Sequence, residues 1–116
     1  MLNKVNRLTK KKEIDAVYNQ GKSFYSKILG LKILENNIGQ KRFVIIVSTK
    51  VSKLATGRNR LKRRIRAAIK QNLDRILEGR DYMIIVRPGQ FITNGDEIPD
   101  ALLYCLKKLG CIKIVK

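Results

Sequence analysis

The sequence predicts an α+β fold, a two-layer αβ sandwich that forms one domain over residues 1–116. Three observations support this prediction. The chain has 116 residues and 44% of them are hydrophobic, which is enough for one core. Three short segments have the composition of strands, and three others repeat apolar residues at helical spacing. These segments follow one another in the order α-β-β-α-β-α, which predicts a central sheet of three to four strands.

The N-terminal third predicts a helix followed by a strand. Residues 1–8 are basic and are expected to be extended. Thr9 is a candidate N-cap for a helix over about residues 10–20, and Gly21 suits its C-terminal stop. Residues 23–34 are rich in aromatic and branched side chains and predict one continuous strand.

The middle third predicts a turn, a buried strand and the longest helix. Residues 36–39 contain the Asn and Gly residues typical of a turn. Residues 42–48 are apolar almost throughout, which predicts a second strand covered on both faces. Thr56 or Gly57 could open the central helix, which is expected to run to about Leu77.

The C-terminal third predicts a strand and a final helix. Residues 81–87 form the third strand of the prediction. Asn94 or Asp96 is a candidate cap for a helix over about residues 96–109, and Gly110 suits its end.

The charge of the chain indicates an anionic partner. The sequence contains 26 Lys and Arg residues against 9 Asp and Glu residues, a net charge of +17. This imbalance favours binding to nucleic acid or to an anionic membrane surface. No apolar run reaches the roughly 18 residues that a membrane span needs. The basic N-terminus is not followed by the apolar segment of a secretory signal, so a cytoplasmic protein is expected.

The residue types present exclude several kinds of catalytic site. The chain has no histidine, which excludes histidine-based acid–base chemistry. Its two cysteines, Cys105 and Cys111, form no CxxC motif, so they are interpreted as core thiols and a zinc site is not expected. The nine acids are scattered along the chain. The sequence therefore indicates no metal site and no catalytic residues of its own.

The stretch from Lys50 to Lys70 has the strongest functional signal. It contains no acid, and apolar residues recur through it at helical spacing, so it predicts a helix with one buried and one cationic face. Arg dominates the cationic face, and guanidinium groups bind phosphate in a bidentate manner and stack on bases. A merely solvated basic face is the competing interpretation. The basic residues are Lys50, Lys53, Arg58, Arg60, Lys62, Arg63, Arg64, Arg66 and Lys70.

The order of elements favours RNA over DNA as the partner. A helix-turn-helix would place a second helix just before the recognition helix. Here a strand, residues 42–48, precedes the connection instead. One basic helix beside a sheet is more typical of an RNA-binding α/β module.

A second candidate surface combines aromatic and basic residues between the first helix and the first strand. Exposed aromatic rings beside cations can stack single-stranded bases. The competing interpretation is that these rings belong to the core. The residues are Tyr18, Phe24 and Tyr25, with Lys22, Lys27 and Lys32.

Five segments of the chain resemble the bacterial ribonuclease P protein family. The most specific is Arg58-Asn59-Arg60 with Lys62-Arg63, placed after a strand and a short connection. Residues 6–8, 21–24, 47–51 and 81–87 also resemble family segments, and all five occur in the family's order. The resemblance spans most of the chain.

The resemblance implies both a function and a topology. Members of the family assist a catalytic RNA that, with Mg²⁺, hydrolyses a phosphodiester to remove the 5′ leader from precursor tRNA. The implied partners are therefore the catalytic RNA and precursor tRNA, with no membrane, no small-molecule substrate and no cofactor bound by the protein. The Mg²⁺ would be required by the RNA subunit. The family fold also implies a left-handed βαβ crossover around the signature helix, which is an exception to the usual handedness.

The resemblance also assigns roles to individual residues. It implies that the RNA subunit contacts Arg58, Asn59, Arg60, Lys62, Arg63 and Arg66. It implies a cleft for the single-stranded leader at Ile14, Tyr18, Lys32, Ser48 and Lys50. Ile14 and Lys32 stand where the family commonly has aromatic residues, so we expect weaker stacking and more charge and apolar contact in the cleft.

Two other functions are compatible with the same composition. A ribosomal or other structural RNA-binding protein would also be small, basic and α/β. A protein-only nuclease would need a catalytic cluster, and the absence of histidine and of grouped acids disfavours it. The Arg-Asn-Arg signature between two strands favours the ribonuclease P subunit.

Overall fold

The computed structural model describes residues 2–88 and 97–113, in which three helices pack on a four-stranded sheet. The predicted α+β class is confirmed. Two 3₁₀ turns, Lys4–Asn6 and Leu73–Arg75, accompany these elements. In chain order the elements are α1 (Lys11–Gln20), β1 (Lys22–Tyr25), β2 (Leu29–Glu35), β3 (Arg42–Ile46), α2 (Ala55–Gln71), β4 (Arg80–Val86) and α3 (Ile98–Lys108).

The sheet has the strand order β1-β2-β4-β3. The β1–β2 and β2–β4 pairs are antiparallel, whereas β3 and β4 are parallel and are joined through α2. This parallel pair is the βαβ unit implied by the family resemblance, and its left-handed crossover stays a prediction. Because the helix between the two strands carries the Arg-Asn-Arg signature, the sheet fixes where the signature lies.

The two faces of the sheet are covered to different extents. On one face, α2 and α3 bury the main core together with apolar side chains of β2, β3 and β4. On the other face, α1 packs a smaller cluster around Val17 and Met83 and leaves part of the sheet open. Burial of each large aliphatic side chain contributes about 1.5–3 kcal/mol. The main core includes Leu29, Leu31, Ile33, Phe43, Ile65, Ala68, Ile69, Tyr82, Ile84, Val86, Leu102, Cys105 and Leu106.

The predicted single strand over residues 23–34 is wrong, because the chain folds there into a hairpin of β1 and β2. The Ser26 backbone N–H donates to the Leu29 carbonyl over 2.8 Å. The Ser26 hydroxyl oxygen accepts a hydrogen bond from the Leu29 N–H over 3.2 Å. The serine side chain thus stabilises a reversal that contains no Gly, Pro or Asn, which explains why composition did not reveal it.

The central helix ends earlier than predicted, at Gln71 rather than near Leu77. The Asn72 side-chain amide donates to the Ala68 carbonyl over 2.9 Å, and its backbone N–H bonds to the Ile69 carbonyl. Asn is well suited to such local bonds, which terminate a helix. The apolar periodicity continues because Ile76, which follows the helix, is itself fully buried.

A buried lysine holds the segment that follows α2. The Lys41 side-chain ammonium donates to the Ile76 carbonyl over 3.1 Å and to the Leu73 carbonyl. It also pairs with Glu78, 3.3 Å away. A side chain that immediately precedes β3 therefore binds backbone carbonyl groups of the segment after α2.

The two ends of α1 also differ from the prediction. Lys10, not Thr9, is the N-cap residue, and it makes no side-chain capping bond. Gly21 follows the helix with φ −71°, so it is not a left-handed stop. A Cβ atom at Gly21 would lie 2.5 Å from the Val17 carbonyl oxygen and 2.8 Å from that of Ile33. Glycine is required here because α1 and β2 approach each other closely.

The N-terminal segment packs along the edge of the sheet. The Leu8 N–H donates to the Phe43 carbonyl over 2.8 Å, and the Asn6 side-chain amide donates to the Lys41 carbonyl over 2.8 Å. Leu2 and Leu8 are buried. These contacts cover β3, which would otherwise be an open edge strand.

The last helix agrees with the prediction at its C-terminal end. Gly110 follows it with φ +69°, the left-handed conformation that glycine adopts readily. The helix begins at Ile98, and Pro99 lies in its first turn. The proposed caps, Asn94 and Asp96, lie outside the described residues.

Candidate RNA-binding surfaces

One side of α2 carries polar and cationic side chains along the length of the helix. Asn59, Lys62, Arg63, Arg66 and Lys70 are spaced three or four residues apart and so lie on one side of the helix. We call these five residues the α2 stripe. Asn59, Arg63 and Lys70 are exposed, and Lys62 and Arg66 are half-buried. Four of the six residues assigned to the RNA subunit are therefore brought together.

The other two assigned residues have different positions. The Arg58 guanidinium folds back, and its Nη1 donates to the Ser52 and Lys53 carbonyls over 2.9 and 3.0 Å. Arg58 therefore holds the connection that leads into α2. Arg60 is exposed on the neighbouring side of the helix, one residue away from the α2 stripe.

The α2 stripe extends towards the N-terminal segment. Lys62 and Arg66 line a cavity together with Arg7, Thr9 and side chains of β3. Arg7 was not among the residues predicted for the site. The Asn6-Arg7-Leu8 motif could have indicated Arg7. Its position close to α2, however, follows from the parallel β-bridge between Arg7 and Phe43. The cavity collects cations from two distant parts of the chain, which suits a phosphate backbone.

An ion network attaches the N-terminal half of α1 to the sheet. Arg42 Nε and Nη2 donate to the two carboxylate oxygens of Asp81, each over 2.8 Å. Arg42 Nη1 lies 3.1 Å from Glu13 Oε2, which belongs to α1. The hydrogen bond to Asp81 raises the pKa of Arg42 above its ordinary value. Bidentate geometry and burial make this pair stronger than an ordinary surface ion pair.

The C-terminal half of α1 is attached by Lys32 of β2. The Lys32 ammonium donates to the Tyr18 carbonyl over 3.0 Å and lies 4.4 Å from the centre of the Tyr18 ring. A cation near the end of a helix satisfies a carbonyl group and interacts favourably with the helix dipole. The Tyr18 side chain is still 58% exposed. Lys32 therefore holds the C-terminal turn of α1 and lies against the exposed Tyr18 ring.

The five predicted cleft residues do not form one contact group. We call Ile14, Tyr18, Lys32, Ser48 and Lys50 together the α1 cleft. Tyr18 and Lys32 touch, and Ile14 packs on the cluster beneath α1. Ser48 and Lys50 are exposed beyond the end of β3. Because β3 lies two strands from β2, about 10 Å away, these two residues form a far rim.

Open apolar surface lies between the two sides of the α1 cleft. Ile46 is 37% exposed, and Ile85, its partner in the β3–β4 register, is half-buried. Alternation along the strands places both on the face that carries α1. The floor beside Tyr18 and Lys32 is thus apolar, while its margins carry cations.

Two acidic groups in the described part of the chain are used in ion pairs at the sheet ends. Glu78 lies 2.8 Å from Lys113 and 3.3 Å from Lys41. The hydrogen bond from Lys113 is the main reason that the pKa of Glu78 is lowered to about 2. Asp81 is paired with Arg42, as described above. No acid occurs between Glu35 and Asp74, so α2 contains no acidic residue that could neutralise its own cations.

The described residues provide no metal centre of their own. Within 2–88 and 97–113, no group of three or more potential metal-ligating side chains comes together. Cys105 and Cys111 are buried and free, which confirms their interpretation as core thiols. Burial raises the pKa of both thiols, so neither has the properties of a reactive cysteine. In the same part of the chain, no helix is long and apolar enough to span a membrane.

The geometry agrees with what comparison with known proteins shows. The sequence model of the Ribonuclease P family matches residues 2–110. The ribonuclease P protein component of Microcystis aeruginosa is 39% identical over 115 residues, and the match covers 96% of each chain. The corresponding protein of Clostridium botulinum is 38% identical over 108 residues, which cover 92% of this chain and 96% of the relative.

Solved structures show the same relationship. The Staphylococcus aureus RNase P protein superposes with a TM-score of 0.85 at 27% identity, covering 95% of this chain and all of that one. The Thermotoga maritima RNase P protein gives a TM-score of 0.76 at 27% identity, covering 88% of this chain and 96% of that one. The family match, the sequence identity over nearly the whole length and the shared fold together show that this chain belongs to the ribonuclease P protein family.

Proposed function

We propose that this chain binds the catalytic RNA of ribonuclease P through the α2 stripe and the 5′ leader of precursor tRNA in the α1 cleft. Membership of the family makes the chain a component of the ribonuclease P endoribonuclease, with a role in tRNA 5′ processing. A ribosomal role is not favoured. The assignment of one surface to each RNA is the proposal.

One observation carries this assignment. The α1 helix and the α2 helix lie on opposite faces of the same sheet. Each face presents cations. The α1 face combines them with the exposed Tyr18 and Tyr25 rings beside open apolar surface of the sheet, whereas the exposed Tyr104 of the other face lies on α3 and not in the α2 stripe. Phosphate contacts need charge alone, whereas single-stranded bases need surfaces on which to stack. The α2 stripe therefore suits a folded RNA backbone, and the α1 cleft suits an unpaired leader.

The chemistry of cleavage belongs to the RNA subunit in this proposal. The chain has no histidine. Mg²⁺ would be held by the RNA, and the protein would lower the repulsion between two polyanions. With its net charge of +17, the protein reduces the Mg²⁺ concentration that the reaction requires.

A reconstitution experiment tests the function. The protein is mixed with a bacterial ribonuclease P RNA and precursor tRNA at low Mg²⁺, and leader removal is measured. We expect the protein to stimulate cleavage relative to the RNA alone. Absence of stimulation would contradict the proposal, and cleavage by the protein without the RNA would indicate a protein-only nuclease.

Replacement of Tyr18 tests the leader assignment. Tyr18→Ala removes an exposed ring at the end of α1, and base–aromatic stacking contributes about 1–3 kcal/mol. We expect the holoenzyme to lose about 5- to 150-fold in affinity for precursor tRNA and little for mature tRNA. Tyr104→Ala is the matched control, because Tyr104 is a 50% exposed tyrosine on α3. Equal losses of affinity for both tRNAs would contradict the assignment of the leader to this cleft.

A further inference from the structure

Tyr25 and Gly30 form an unusual pair on the α1 face of the sheet. They are direct partners in the β1–β2 register. A Cβ atom at Gly30 would lie 2.4 Å from Tyr25 Cε2 and 2.5 Å from Cδ2, so the Tyr25 ring occupies the place of a side chain at Gly30. Gly30 is buried beneath the ring, whereas Tyr25 is 45% exposed. The result is an aromatic ring held against the sheet with much of its surface open to solvent.

Arg87 accompanies this ring. Its Nη1 donates to the Ser26 carbonyl over 2.7 Å, which fixes the guanidinium beside the β1–β2 turn. The guanidinium carbon lies 5.6 Å from the centre of the Tyr25 ring, within the range of a cation–π interaction. The Arg87 backbone N–H also bonds to the Ile28 carbonyl over 2.9 Å. The Arg87 guanidinium and the Tyr25 ring are thus placed side by side, and each is held by its own contacts.

The pair lies next to the α1 cleft. Gly30 and Lys32 are two residues apart on β2, so their side-chain directions point to the same face. The Tyr18 ring lies against the Lys32 ammonium, and the Tyr25 ring lies over Gly30. Two exposed tyrosines, each with its own cation, therefore lie over successive positions on one face of β2.

We propose that Tyr25 and Arg87 form a second stacking site for a nucleobase of the single-stranded leader, adjacent to the site at Tyr18. This inference rests on the proposed leader cleft and extends it. A base stacks on the ring or on the guanidinium plane, and the Arg87 charge attracts the neighbouring phosphate. The site supplies the stacking surface that Ile14 and Lys32 do not provide.

A purely structural role for Tyr25 would leave leader binding unchanged. An aromatic ring over a glycine stabilises a β-sheet by itself. The test therefore uses variants that separate packing from stacking. Tyr25→Leu retains apolar cover over Gly30 but removes the aromatic face, Tyr25→Phe retains both, and Arg87→Ala removes the cation without altering the Tyr25–Gly30 pair.

The matched control is Tyr104→Leu. Tyr104 is 50% exposed and lies 5.5 Å from the Lys108 ammonium, measured to the centre of its ring. It repeats the exposed tyrosine–cation pair of Tyr25, but on α3, which packs on the opposite face. A loss specific to Tyr25 therefore reflects the place of the ring and not the general cost of removing an exposed tyrosine.

The measurement is the affinity of the reconstituted holoenzyme for precursor tRNAs with a series of leader lengths, and for mature tRNA, at constant salt. We expect Tyr25→Leu to weaken binding about 5- to 150-fold, but only when the leader is long enough to reach the site. Arg87→Ala should weaken it about 2- to 5-fold. Tyr25→Phe, Tyr104→Leu and the affinity for mature tRNA should remain at wild-type values.

The outcomes separate this inference from the proposed function. If the wild-type holoenzyme does not prefer precursor to mature tRNA, the leader cleft fails and the second site fails with it. If the wild type shows that preference and Tyr25→Leu retains all of it, only the second site is overturned. Should Tyr25→Leu fail to fold, unchanged leader affinity in Arg87→Ala overturns the site instead.

Discussion

The two proposed RNA-binding faces of the sheet are built in different ways. On the α2 face, the functional groups follow one helix at regular spacing, and the buried side of the same helix fixes them. On the α1 face, the groups come from α1, β1, β2 and the end of β4, and each is held by a specific contact such as Lys32 to Tyr18 or Arg87 to Ser26. Regularly spaced charge on one helix suits contacts to the phosphate backbone of a folded RNA. A surface built from several elements, with exposed rings, suits unpaired bases.

This difference predicts that the α1 face depends on its ion network for both stability and leader binding. Arg42→Met leaves the nearly buried Asp81 carboxylate without its guanidinium, although Asn36 still donates to it. Loss of one partner of a buried pair costs about 3 kcal/mol. We expect the free energy of unfolding, measured by denaturant titration, to fall by about that amount. Leader-dependent affinity should fall with it, and affinity for the RNA subunit should not.

The double variant Arg42→Met with Asp81→Asn provides the control for this prediction. Since the second change removes the unpaired charge, the double variant should be more stable than the sum of the two single effects. Additive losses would show that Arg42 and Asp81 are not coupled. Equal losses of leader and RNA-subunit binding would show that α1 is not the specific element affected.

The α2 face predicts a large effect on a different partner. Arg63→Ala with Arg66→Ala removes two guanidinium groups from the α2 stripe, and each charged hydrogen bond contributes about 1.5–3 kcal/mol. We expect affinity for the RNA subunit to fall by at least about 150-fold. The log–log salt slope should become shallower by about 1.5–2. Filter binding over a range of salt concentrations measures both.

Lys27→Ala with Lys107→Ala is the control of equal charge for that variant. Both lysines are exposed, and Lys27 lies beside α3 rather than α2. If this control weakens binding as much as the change on α2, net charge and not the α2 stripe determines affinity. Arg58→Ala is less suitable as a test, because Arg58 also holds the carbonyl groups of the preceding connection.

The smallest predicted effect concerns the pH dependence of stability. The pKa of Glu78 is lowered from 4.5 to about 2 by Lys113 first and then by its other partners. Its contribution to stability is therefore present above about pH 4.5 and is lost as the pH falls towards 2. We expect Glu78→Gln to lower the midpoint of thermal unfolding near neutral pH and to match the wild type at the acidic limit. A constant difference at all pH values would contradict the assigned pairing. Because Glu78 is exposed, the difference should be small.

Sequence reasoning predicted the α2 face better than the α1 face, for physical reasons. Helical periodicity and charge density are local properties, so the amphipathic α2 and most of the stripe could be predicted. The end of α2 before Asn72 depends on one hydrogen bond from the Asn72 side chain to the Ala68 carbonyl. The apolar periodicity did not predict this end, because Ile76, beyond the helix, is also buried. The βαβ unit was implied by the family resemblance and not by the pattern itself.

The α1 face depends on contacts between residues far apart in the sequence. The Tyr25–Gly30 pair exists only once a hairpin forms at a turn without typical turn residues. Arg87 approaches Tyr25 across 62 positions of the chain, because β4 pairs with β2. Tyr18, Tyr25 and Lys32 were predicted from the sequence for this surface, but Arg87 and the pairing of these residues required the strand register.

Crosslinking of both RNAs in one holoenzyme tests the division between the two faces most directly. A photoreactive base is placed either in the leader of precursor tRNA or in the RNA subunit, and the crosslinked peptides are identified. The account predicts that the leader crosslinks to peptides containing Tyr18, Tyr25 or Lys32, and that the RNA subunit crosslinks to peptides from Ala55–Gln71. Crosslinks from the leader to α2, or from the RNA subunit to the α1 cleft, would contradict it.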